Sequence, residues 1–181
     1  MRYCALFRGI NVGKAKRIAM ADLRALLERL GYVDVRTLLN SGNAVFSTRA
    51  APALRLSTRI RNAVGEQLGV DAYVIVKSAT DIAAIAKDNA LVKVATDHSR
   101  LLVAVTNELR DLAAARPHGR TDFGRERVHI GEHAAFIWCA DGILESKASA
   151  AVLKSLGKGV TTRNWATLLK LEALMADSTA A

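Results

Sequence analysis

Aromatic side chains are scarce in this 181-residue chain, at 5% of positions, so its core must be built from Leu, Val, Ile and Ala. Cysteine is scarcer still. Cys4 and Cys139 fall in the short apolar runs Tyr3–Phe7 and Ala134–Ala140, where a thiol behaves as a small hydrophobe, so no structural disulfide is expected. No stretch of about 18 apolar residues occurs and no apolar signal region opens the sequence, so neither a helical membrane span nor a secretory leader is predicted. The cytoplasm is the expected compartment. The four histidines (His98, His118, His129, His133) are scattered, with no Cys or acid cluster at metal-ligand spacing, so no metal site and no cofactor are expected. A Gly-x-Ser-x-Gly elbow and marked carboxylate pairs are also missing, which removes the sequence signals for covalent hydrolysis and glycosidase chemistry.

What remains is globular. Hydrophobic residues make up 51% of the chain and charged residues 24%, too apolar for a disordered polymer, and a chain of this length buries about two-thirds of its unfolded surface. The net charge of +9 favours an anionic partner through long-range attraction. That charge is uneven: residues 1–90 hold 14 Lys/Arg against 7 Asp/Glu, and residues 91–181 hold 12 against 10.

The pattern of apolar residues predicts an element order. Tyr3–Phe7 reads as a buried strand stopped by Arg8-Gly9. Met20, Leu23, Leu26, Leu27 and Leu30 recur at helical spacing up to Gly31. Val33–Leu39 and Ala44–Thr48 read as a hairpin around Asn40-Ser41-Gly42-Asn43, residues that tolerate positive φ. A helix along Leu56, Ile60, Ala63, Val64 and Leu68 closes at Gly69, and Ala72–Val76 is again strand-like. Residues 1–78 therefore spell βαββαβ, the split βαβ or ferredoxin-like pattern. Residues 79–98 form a linking helix, capped by Ser78 or Thr80, and a polar joint. Residues 99–181 begin the pattern again: strand Leu101–Thr106, a short helix Glu108–Ala115, a hairpin of Arg127–Ile130 with Ala134–Ala140, and helix Ala148–Leu156. This half is expected to read βαββα and to end in a helix from about Thr162 to Met175. Between its elements, Arg116–Arg127 reads as an exposed loop with four arginines. The fold class is α+β, with two ferredoxin-like halves, antiparallel sheets and an extra C-terminal helix.

Four segments stand out: Leu6-Phe7-Arg8-Gly9-Ile10-Asn11-Val12-Gly13, Asn40-Ser41-Gly42-Asn43-Ala44-Val45-Phe46, Ser146-Lys147 and Thr161-Thr162-Arg163-Asn164-Trp165. In order and spacing they resemble domain-of-unknown-function family 1697 over nearly the whole chain. The resemblance implies a bacterial α+β protein and brings no activity, cofactor or catalytic residue. The sequence departs from the family where a further glycine often follows the first segment: here Lys14-Ala15-Lys16-Arg17 leaves the loop less permissive and more basic.

The Gly9-to-Lys14 loop follows a strand and precedes a helix, as a phosphate-cradling loop does. Three residues separate its glycines where a Walker loop needs four, and Ala15 supplies no Mg²⁺-binding hydroxyl, so nucleotide hydrolysis by that route is not expected. Two readings stand: Gly9 and Gly13 merely permit a turn, or exposed N–H groups flanked by Arg8, Lys14, Lys16 and Arg17 take a phosphate or carboxylate. At the expected start of the last helix, Thr161 and Thr162 are candidate caps. Arg163 is there either to hold an anion bidentately or to pair with a surface acid. Lys147 is either a nucleophile or base, or a solvated helix residue. The candidate ligand-binding set is Arg8, Gly9, Asn11, Gly13, Lys14, Asn40, Ser41, Gly42, Asn43, Lys147, Thr161, Thr162, Arg163 and Asn164. The expectation is that the early turn, the asparagine hairpin and the amino end of the last helix converge on one basic pocket for an anionic small molecule or nucleic acid. The rivals are an enzyme closing its loops over a small metabolite, and an interaction module with an exposed apolar sheet face; monomer and homodimer both remain open. No membrane association is expected.

Overall fold

A computed structural model describes residues 1–11 and 17–176, and the chain divides into two compact units. One comprises Met1–Thr80 with the end of the last helix from Leu171; the other is Asp81–Lys170. In the first, β1 (Arg2–Arg8) buries five successive side chains, as a central strand must. The helix α1 (Met20–Arg29) buries Leu23, Leu26 and Leu27. It stops in a Schellman motif: Gly31 at φ 82° donates its N–H to Glu28 O (2.9 Å) and Tyr32 donates to Leu27 O (3.2 Å). Then follow β2 (Val33–Leu38), β3 (Asn43–Ser47), α2 (Ala53–Leu68) and β4 (Tyr73–Ser78), with α2 ended by left-handed Gly69.

The sheet order is β2-β3-β1-β4 with every pair antiparallel, so the first strand lies at the centre, as in the split βαβ arrangement. Alternation sends Tyr3, Ala5, Phe7, Ala44, Phe46, Val74 and Val76 to the side that shares its core with α1 and α2. Phe46 stacks between Tyr32, at 4.5 Å, and Tyr3, at 5.9 Å. Burying each such side chain is worth about 1.5–3 kcal/mol, which makes this layer the main stabilising feature of the unit.

The hairpin turn falls one residue earlier than the sequence predicts. Leu38 pairs with Asn43, so Leu39–Gly42 make the turn, and Leu39 rather than Asn40 takes the left-handed φ of 58°. Asn43 is instead a buried strand residue whose Nδ2 donates to Leu38 O (2.9 Å) and Ser41 Oγ (3.1 Å), tying the turn from inside.

In the second unit α3 (Ala79–Lys87) leads to β5 (Leu101–Thr106), all of it buried. A 3-10 helix over Leu109–Arg120 follows, so neither the short helix ending at Ala115 nor the loop starting at Arg116 is as expected. Its buried residues, Leu112 and Ala115, are three apart, the 3-10 repeat, and Pro117 lacks the N–H that an α-helix would use. Next come β6 (Arg127–Ile130), β7 (Ala135–Trp138), α4 (Lys147–Leu156), β8 (Val160–Asn164) and α5 (Trp165–Ala176).

Here lies the larger correction: the second half does not end βαββα. Val160–Asn164 form a sixth element, pairing antiparallel with β5 from Leu102↔Asn164 to Thr106↔Val160, and the last helix begins at Trp165 instead of Thr162. Three β-branched residues in succession, Val160, Thr161 and Thr162, favour the pleated conformation. The sheet order β6-β7-β5-β8 repeats that of the first unit position for position. Among the described residues, no helix is long and apolar enough to cross a membrane.

Candidate functional site

The early loop and the asparagine turn meet within the first unit, and their contacts are specific. Asn11, itself left-handed at φ 57°, accepts a hydrogen bond from Ile18 N–H at Oδ1 (2.8 Å). Its Nδ2 donates to Ile18 O (2.9 Å) and to Asn40 O (2.8 Å). One amide thus closes the loop on itself and fastens it to the hairpin. Phe7 N–H donates to Gly42 O (2.9 Å), extending the β1–β3 ladder into the turn.

Gly42 permits this approach. A Cβ at its φ of 80° would lie 2.6 Å from Ile10 Cδ1 and 2.7 Å from Phe7 Cβ, so no other residue fits without moving the fully buried strand end. Gly9 is left-handed at φ 72°, and Arg8 beside it is exposed. Gly13 and Lys14 lie outside the described residues. The amides expected to offer themselves to a ligand are therefore largely occupied by their own backbone: Asn11 and Asn43 are fasteners, and Asn40 contributes its carbonyl.

What the fasteners frame is a hollow of about 380 Å³ lined by Asn11, Arg17, Ile18, Ala19, Met20 and Asn40. Among the described residues no carboxylate lines it. The amino end of α1 forms part of its wall, and the N-cap there is Ala19, which makes no side-chain hydrogen bond to the first turn. The N–H groups of that turn carry the positive end of the helix dipole.

The remaining candidates belong to the second unit. Lys147 is exposed at the first position of α4, behind Ser146, whose Oγ accepts Ser149 N–H (3.0 Å). Thr161, Thr162 and Arg163 are strand residues, not helix caps. Arg163, 8% exposed, donates to Thr161 Oγ1 (3.0 Å) and Thr162 O (2.7 Å). Asn164 caps α5, its Oδ1 accepting Thr167 N–H (2.9 Å) and Thr167 Oγ1–H (2.6 Å). Near Ser146, the Cys139 thiol is pushed up by burial, with the hydrogen bond of Ser146 opposing and the charge of Glu126 adding. Glu126 itself accepts Ala148 N–H (3.0 Å) at the amino end of α4. Both cysteines are free and buried, and among the described residues no group of three His, Cys, Asp or Glu is placed to hold a metal.

Three arginines went unnoticed in the sequence. Arg49, Arg55 and Arg59 line a second hollow in the first unit, of about 780 Å³, with Met1, Gly31 and Leu56 among the other walls. A signal was present: residues 35–65 carry five arginines and no Asp or Glu, and Arg55 and Arg59 are like charges four apart on one helix, an arrangement that destabilises an isolated helix.

A family model described as protein of unknown function (DUF1697) matches residues 1–136. The chain is similar in fold to the solved structure of a conserved bacterial protein from Streptococcus pneumoniae, with a TM-score of 0.67 and 23% sequence identity over 96% of this chain and 98% of that chain. No curated protein matches.

Proposed function

Since the chain belongs to the DUF1697 family, whose members are described as of unknown function, its activity has to be read from the site, and we propose that it binds a phosphate- or carboxylate-bearing small molecule in the first unit. The observation that carries this reading is the hollow beside α1. Arg17, a helix amino end without a side-chain cap and the amide of Asn11, fixed by its bonds to Ile18 and Asn40, line one recess, and among the described residues that line it none is an acid, the nearest in the helix being Asp22 of its first turn. Fixed N–H donors and a guanidinium in one recess match the oxyanions of such a ligand. The left-handed Asn11 and Leu39 add conformational cost, a pattern found where loops are preorganised for a ligand. Two free, buried thiols suit the reducing cytoplasm as its compartment.

Single-stranded nucleic acid is the weaker partner. Of the strand aromatics that would stack bases, Tyr3, Phe7, Phe46 and Phe136 are buried at 2% exposure or less and Trp138 at 8%, which leaves only the half-buried Tyr73 among the described strands. Thermal melts at constant ionic strength with phosphate and with citrate test the proposal. A probe at a hundred times its dissociation constant adds about 2.7 kcal/mol to stability, a shift of several degrees that Arg17→Gln should abolish. Equal melting temperatures with and without both probes would remove the reading.

A further inference from the structure

The hollow at Arg49, Arg55 and Arg59 shares no residue with the loop cluster and needs its own account. Three guanidinium groups line it, and among the described residues no carboxylate does. Among the described residues neither Arg49 nor Arg55 has a carboxylate partner, whereas Arg61, on the same α2 helix, is paired with Asp71 at 2.9 Å. Among the described residues one arginine of this helix is neutralised and the recess is not, so the three cations repel one another until an anion enters.

Arg59 is already positioned. Its Nη2 donates to Leu30 O (2.9 Å), and its guanidinium carbon lies 5.5 Å from the centre of the Tyr32 ring. Among the described residues the buried Tyr32 hydroxyl has no hydrogen-bond partner. Arg49 comes from the segment joining β3 to α2, and Arg55 from the first turn of α2, so two exposed, adaptable guanidiniums face the recess with one fixed. The rest of the lining joins an apolar part, with Val33, Ala51 and Leu56, to the polar Ser47 and Thr48, and about 780 Å³ exceeds what a bare anion fills and lies within the range of small-molecule sites.

We infer that this recess is a second binding site of the protein, one that takes the phosphate end of a phosphorylated small molecule, with Arg49 and Arg55 as its bidentate clamp and Arg59 as a fixed third donor. The organic body of the ligand rests on the apolar part of the lining. This site stands apart from the one beside α1, and either can exist without the other.

The test is a titration of the full chain with inorganic pyrophosphate at constant ionic strength, following the arginine Nε–Hε signals by NMR. The site predicts saturable shifts of Arg49, Arg55 and Arg59. The exposed-residue double variant Arg49→Gln, Arg55→Gln, with an unchanged melting temperature, should weaken that response at least tenfold, while Arg17→Gln leaves it intact. Shifts confined to Arg17 would overturn this inference and support the α1 site instead; shifts confined to the three arginines would do the reverse. Binding of a short single-stranded oligonucleotide tenfold tighter than pyrophosphate, with the steep salt dependence of a backbone contact, would also overturn it, in favour of nucleic acid.

Discussion

The two units share one strand order and treat the ends of their helices in opposite ways. In the second, Ser146 caps α4, Glu126 accepts a further N–H from the same helix end, and Asn164 caps α5. In the first, the residues at the cap positions of α1 and α2 are Ala19 and Pro52, and neither makes a side-chain cap bond. Charge follows the same division: residues 1–80 hold 13 Lys/Arg against 5 Asp/Glu, and residues 81–181 hold 13 against 12. One topology has thus been built twice, once with the amino ends of α4 and α5 capped by side chains and once with the cap positions of α1 and α2 making no such bond. Strand pairing sets the fold in both, and the connections are where the two differ.

The hairpins sharpen the contrast, because each is held by a side chain from outside it. Asn11 reaches the carbonyl of Asn40 in the first unit. In the second, Asp88 Oδ2 accepts His133 N–H (2.8 Å), and a Cβ at Gly131 would overlap that carboxylate. Gly42→Ala should be the most damaging single change at either turn, costing about 2–4 kcal/mol, since left-handed strain adds to a collision with the buried Ile10 and Phe7. Gly131→Ala displaces only a side-chain tip and its hydrogen bond, for about 1–2 kcal/mol. Urea denaturation midpoints compare the two; equal losses would mean that the first turn is no more tightly locked than the second.

Asn11→Ala leaves Ile18 N–H and two carbonyls without their partner and should cost about 1–3 kcal/mol. Asn164→Ala, the loss of one helix cap in the second unit, should cost about 1 kcal/mol by the same measurement. Alkaline pH reaches both units. Burial raises the Tyr32 hydroxyl in the first and the Cys139 thiol in the second, the charge of Arg59 opposing the former. A raised folded-state value contributes stability that is present below the unfolded value and lost as pH climbs through the folded one. Stability should therefore decline on the alkaline side, and Tyr32→Phe and Cys139→Ala should each flatten that decline. The smallest effect belongs to Asp71→Ala: its pair with Arg61 is exposed on both sides and should contribute less than about 0.5 kcal/mol.

Elements written in strong periodicity were legible from the amino-acid order. The leucines of α1 and the stripe of α2, each closed by a glycine, could have been nothing else. β8 was illegible because Thr161 and Thr162 suit a strand and a helix cap equally, and only the open edge of β5 decides between them. The 3-10 helix was obscured because Leu109, Leu112 and Ala115 satisfy an α-helical spacing as well as a threefold one. At the site, the early loop and the asparagine turn were recognised, but the use of Asn11 was not. A side-chain amide looks the same in sequence whether it meets a ligand or a backbone group seven residues away. Arg49, Arg55 and Arg59 are divided between a connection and a helix, so no short motif announces them.

The central claim is that anions are taken by the first unit and not by the second. Backbone amide NMR of the full chain, titrated with inorganic phosphate at constant ionic strength, addresses it residue by residue. The account predicts saturable shifts at Asn11, Ile18, Ala19 and Met20, with the amides around Lys147 and Thr161–Asn164 unmoved. Shifts concentrated at those second-unit residues, or spread evenly over both units, would contradict it.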